Sequence, residues 1–82
     1  MRKHKLLAIV INSTHNVKFK DFDALMTHFG FELRRTNGSH MIYKNRKINR
    51  SLTVQNDRGN AKPYQIKQFL ELIETYRIEM EE

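Results

Sequence analysis

The sequence contains no cysteine, so neither a disulfide nor a thiolate metal site can hold this chain together. Secreted domains of this size commonly need disulfide staples, and their absence points to a reducing cytoplasm. Long apolar runs are missing too. The longest, Leu6 to Ile11, has six residues and is far too short to span a bilayer. Arg2, Lys3 and Lys5 before it give the outline of a signal peptide, but Asn12-Ser13-Thr14-His15 follows where a small-residue cleavage site would stand. The expectation is a short helix, with no export and no membrane role. No two histidines have the spacing of a helical metal site and no carboxylates cluster, so neither a metal nor another cofactor is expected. Repeats, low-complexity tracts and linkers are also lacking. One proline, Pro63, and three glycines, Gly30, Gly38 and Gly59, serve as punctuation. With 82 residues, a split would leave neither half a core, so one domain is expected over residues 1–82.

Positive charge is abundant and unevenly placed. The net charge of +6 hides three blocks: +3 over residues 1–30, +6 over 31–62 and −3 over 63–82. The middle block carries eight Lys/Arg against only Glu32 and Asp57. A basic segment followed by an acidic one suggests a surface for a polyanion, with a merely solvated basic face as the plainer reading.

Hydrophobic spacing gives the elements. Leu6, Leu7, Val10 and Ile11 suit a short helix over about 2–12. Phe19, Phe22, Leu25, Met26 and Phe29 form one face of a second helix over about 18–29, with Asp21 and Asp23 at its positive end. Gly30 stops it. The period then becomes two: Phe31 and Leu33 alternate with Glu32 and Arg34, the pattern of a half-buried strand. Asn37-Gly38 signals a hairpin into a second strand, His40 to Lys44. A polar turn leads to a third strand, Ser51 to Gln55, and residues 56–62 read as a loop. Pro63 opens a last helix whose face holds Ile66, Phe69, Leu70, Ile73 and Tyr76 or Arg77, and the tail from Glu79 is expected to fray. The expected fold is α+β, order α-α-β-β-β-α. Its three-stranded antiparallel sheet has one face covered by the second and third helices and the other face open.

The stretch Phe29 to Tyr43 joins Gly-Phe-Glu-Leu, the basic pair Arg34-Arg35, and Gly38-Ser39-His40 followed by a hydrophobic and an aromatic residue. Together with Lys62-Pro63-Tyr64-Gln65-Ile66-Lys67-Gln68 at the last helix, it resembles the HicA toxin family over about residues 19–78. These are small ribonuclease components of bacterial toxin–antitoxin pairs. The resemblance implies a double-stranded-RNA-binding-like fold, with residues 1–17 as a helical N-terminal extension. It implies that His40 is the catalytic residue, that mRNA is the substrate and that a HicB-type antitoxin is the protein partner. Asp57-Arg58-Gly59 departs from the His-Gly-type turn of many members.

RNA can be cut without a metal when its own 2′-hydroxyl attacks the adjacent phosphorus. An imidazole suits the proton transfers, since histidine's ordinary pKa of about 6.5 keeps both forms available. Arg34, Arg35, Ser39, Lys44, Arg46 and Lys62 are the expected RNA contacts. Ser39 is no nucleophile for His40, because strand neighbours point to opposite faces. His4, His15 and His28 are expected to be solvated, and Tyr43 and Tyr64 could stack on bases or fill the core. Two arrangements of the second strand stay open. Either Met41 and Tyr43 are buried and His40 shares the open face with Lys44, or Ile42 is buried and His40 sits at the rim. A non-catalytic RNA-binding module and a protein-interaction domain are the alternative functions.

Overall fold

Aromatic residues three, ten and twelve positions beyond Phe19 need one common partner to be buried, and Phe69 supplies it. The computed structural model describes residues 3–81. Its helices are α1 (Lys3–Asn12), α2 (Phe19–His28) and α3 (Pro63–Thr75); its strands are β1 (Phe31–Asn37), β2 (His40–Asn45), β3 (Ser51–Asp57) and β4 (Asn60–Ala61). The strands form one antiparallel sheet in chain order. The ring of Phe69 on α3 meets Phe22 of α2, Phe29 at the end of α2 and Phe31 of β1 edge-on, each at 5.6 Å between centroids. Tyr43, Leu52 and Val54 close the core from the sheet, and Leu6 and Val10 of α1 join it. Both later helices thus cover one sheet face, as expected for the double-stranded-RNA-binding-like order.

Four expectations are corrected. The sheet has four strands, because residues 56–61 fold into a tight hairpin. Arg58 and Gly59 both take positive φ (55° and 90°), the pattern of a type I′ turn, and the Asn56 side chain accepts the Gly59 N–H at 2.7 Å. Beside it, the N–H groups of Phe19 and Ala61 bond to the carbonyls of Gly59 and Val17, tying β4 to the entry of α2. Leu33 is not buried. On the edge strand β1 it lines an open depression beside Phe19 and Asp23 of α2, and it stays 46% exposed. Ile11, placed on the buried face of α1, is 53% exposed, since that short helix buries only Leu6 and Val10. The tail does not fray through Glu81. The Glu81 N–H bonds to the His28 carbonyl at 2.7 Å, and Lys3 Nζ reaches the Glu81 carbonyl at 2.7 Å. Residue 2 of the expected first helix and Glu82 of the tail lie outside the described residues.

At the first hairpin Asn37 stays in β1, and Gly38 alone takes the positive φ of the two-residue loop (65°). Arg34 is an extra residue in β1, because the register shifts between Leu33, opposite Tyr43, and Arg35, opposite Ile42.

Because three rings lean on Phe69, Phe69→Ala should cost about 3–5 kcal/mol. For so small a domain that is most of the stability, so urea denaturation should show a transition near zero denaturant or none at all.

Candidate active site

Alternation along β2 decides what the sheet presents. Tyr43 is 1% exposed and its hydroxyl donates to the Asp23 carboxylate of α2 at 2.6 Å. Met41, two residues back, is half-buried on the same face. His40, Ile42 and Lys44 therefore project from the opposite face, which is the first of the two arrangements left open above. Their cross-strand neighbours Arg35, Asn37, Thr53 and Gln55 share that face. His40 is exposed and begins β2 directly after the hairpin loop, so a rigid element holds it within reach of solvent.

The expected contacts divide into groups. Arg34, Lys44 and Arg46, with Lys47 added, line a hollow of about 360 Å³ at the far end of β2. Along the strand, Lys44 lies about 13 Å from His40, at roughly 3.3 Å per residue. Acidic neighbours pair with its arginines. Glu32 lies 3.9 Å from Arg34 and 3.7 Å from Arg46, and Glu81 of the tail pairs with Arg46. Exposed pairs of this kind are worth about 1 kcal/mol or less, so a phosphate can displace them. Arg35 and Ser39 are exposed near His40. Lys62 stands apart, with its ammonium 3.8 Å from the Asp57 carboxylate. Among the described residues, no three His, Asp or Glu side chains are placed to hold a metal ion, and no helix is long and apolar enough to cross a membrane.

Two residues matter here that sequence reasoning did not single out. Asn45 is 1% exposed at the end of β2. Its amide donates to the Phe29 carbonyl at 2.9 Å, and its carbonyl accepts the N–H groups of Lys47 (2.8 Å) and Ile48 (3.2 Å). It thereby folds the loop that carries Arg46 and Lys47. An asparagine opening a polar turn is the only sequence signal for this. Gln65 is also buried, and its side-chain carbonyl accepts the Gln55 N–H at 2.7 Å, pinning α3 to the edge of β3. Nothing in the α3 pattern distinguishes Gln65 from an exposed helical glutamine.

Fold and site define a small basic α+β domain that displays a surface histidine at a hairpin tip and a cationic hollow on the same sheet. The family model described as the HicA toxin of bacterial toxin–antitoxin systems matches residues 19–74, and the chain belongs to that family. The match opens on the first residue of α2 and closes one residue short of the end of α3. Membership implies an antitoxin partner. A search of curated proteins and a search of solved structures match nothing.

Tyr43 makes the placement of β2 sensitive to pH. Burial, then the hydrogen bond to Asp23 and its negative charge, push the Tyr43 hydroxyl far above the usual tyrosine range. The unfolded chain releases this proton near pH 10, while the folded chain retains it. The stabilisation is therefore complete below about pH 10 and is lost as the pH rises beyond it. Denaturation midpoints measured between pH 9 and pH 11 should fall more steeply for the parent than for Tyr43→Phe. At neutral pH that variant should itself be about 1–2 kcal/mol less stable.

Proposed function

We propose that this protein is a metal-independent endoribonuclease that cleaves mRNA in the cytoplasm, with His40 as general acid or base, and that a HicB-type antitoxin neutralises it. The observation that carries this reading is the position of His40, solvent-facing at the start of β2, on the same strand face as Lys44 and beside Arg35. Family membership supports it.

The chemistry asks little more of the protein. As the 2′-oxygen bonds to phosphorus, the 2′-hydroxyl gives up its proton. The bond from phosphorus to the 5′-oxygen breaks, and that oxygen takes up a proton. One imidazole can serve either transfer, with water at this exposed site serving the other. Arg35 near the ring and the hollow of Arg34, Lys44 and Arg46 supply positive charge for the scissile and neighbouring phosphates. Requiring a 2′-hydroxyl as nucleophile makes RNA, not DNA, the substrate. A HicB-type partner would inhibit by covering the His40 face, and an acidic segment would complement the +6 charge.

Replacing His40 with alanine tests the reading. Cleavage of a defined RNA should fall by about 10²–10⁴-fold, with RNA binding and the denaturation midpoint kept. Undiminished cleavage would show that His40 is not the catalyst; absence of cleavage in the parent, with RNA bound, would favour the non-catalytic RNA-binding module. The cationic hollow has its own test. For each of Arg34→Gln, Lys44→Gln and Arg46→Gln, the dependence of log affinity on log salt should flatten by about 0.7, the share of one phosphate contact on a single strand. An unchanged slope for all three would remove the hollow from the RNA path.

A further inference from the structure

Beside His40 lies a second depression, of a chemistry unlike the first. A groove of about 640 Å³ runs between the outer edge of β3 and α3, and its wall includes His40, Thr53, Tyr64, Gln68, Glu71 and Tyr76. No lysine or arginine lines it. The guanidinium of Arg50 stands over the Tyr76 ring, 5.4 Å from its centroid, while Glu71 in the wall itself opposes phosphate.

What the groove offers is a ring face and neutral hydrogen-bonding groups. Tyr64 is 58% exposed, although it sits in the first turn of a helix whose next residues pack the core. Its hydroxyl accepts from the Gln65 amide at 3.3 Å, and the same Gln65 is fixed to the Gln55 N–H of β3. The ring is thus tied through one buried side chain to the strand opposite His40. Gln68, one turn further along α3, adds a donor and an acceptor. The β3 edge adds more. The N–H groups of Asn45 and Asn56 bond across the β2–β3 pair, to the carbonyls of Arg50 and Ser39. By the alternation of an antiparallel ladder, the backbone groups of Ser51 and Thr53 then point away from β2, toward the groove.

From this arrangement we infer that the groove between β3 and α3 is a nucleobase subsite, in which a base flanking the scissile phosphate stacks on Tyr64 while Gln68 and the β3 edge meet its polar rim. The inference rests on the proposed cleavage at His40 and names what that site selects. An aromatic face with neutral donors and acceptors is the chemistry that receives an unpaired base, and phosphates stay on the basic side of the histidine.

A thermodynamic cycle tests it on the intact protein. Short RNAs of one sequence are prepared with an abasic ribose at each of the two nucleotides on either side of the cleavage point, and kcat/KM is measured for the parent and for Tyr64→Leu. The exposed position of Tyr64 leaves the core untouched, and an unchanged denaturation midpoint verifies this. Tyr64→Leu should lower kcat/KM on intact RNA on the order of tenfold, the usual scale for a lost stacking contact. At one position the abasic ribose should abolish that loss, because ring and base act together. Losses that multiply independently at every position, or no loss on intact RNA, would overturn the subsite and leave the groove to a protein partner. His40→Ala keeps the two claims apart. If it cleaves like the parent, the cleavage reading falls first; if it is inactive while Tyr64→Leu shows no coupling, only the subsite falls.

Discussion

The burial of Tyr43 is the constraint on which the site depends. A strand turns successive side chains to opposite faces, so fixing one residue fixes the rest. With its ring in the core and its hydroxyl on Asp23, Tyr43 cannot change sides without leaving a carboxylate unpartnered and a large apolar surface in water. His40, three positions earlier, is then obliged to face solvent, and Lys44 follows it. The helix face of α2 therefore reaches the His40 face of the sheet through one hydrogen bond and one strand. The two residues of the Gly38–Ser39 loop add the remaining restraint, because a loop that short leaves β2 little freedom to slide against β1.

Asn45 does for the opposite end of β2 what Tyr43 does for its middle. A buried amide must find partners, and this one finds them in the α2–β1 corner and in the turn after β2. The cations of that turn are thus anchored to the core even though their heads are solvated. The docked tail adds Glu81 to the same corner. Its carboxylate pairs with Arg46, and a Cβ on Gly30 would lie only 2.8 Å from a Glu81 carboxylate oxygen. Gly30 thereby serves twice, taking the positive φ (87°) that ends the helix and leaving room for the tail.

Much of this was legible in the residues. The Phe19 to Phe29 face, Pro63 at the start of α3, the switch from period 3.6 to period 2 at Gly30 and the Asn37-Gly38 hairpin are local signals, and local physics decides them. His40 was legible as a candidate through the Gly38-Ser39-His40 frame, whereas its face was not, because Ile42 and Tyr43 are both apolar enough to claim the core. The corrections share a cause: each depends on what lies opposite in space. Leu33 alternates correctly, yet it lies on the edge strand, where the depression beside α2 stays open. The β3–β4 hairpin turns on Arg58, a poor residue for positive φ whose turn is stabilised by Asn56 and by the entry to α2. The tail reads as a charged end, and only the folded corner offers it Lys3 and Arg46.

Charge and its absence divide the open face along β2. The hollow by Lys44 gathers four cations, while the lining of the groove by His40 holds no lysine or arginine, with Arg50 standing over its Tyr76 ring, and faces the acidic helix that follows the basic block. A flexible strand of RNA laid across such a surface is not free to choose its orientation. Its phosphates lose energy near Glu71 and gain it near Lys44, whereas its bases gain little from cations in water but do gain from a ring. On the proposed reading, the segregation of basic residues 31–62 from acidic residues 63–82 does more than attract a polyanion. It sorts backbone from base to either side of the imidazole, so that the linkage brought to His40 is one whose neighbouring base has found the groove.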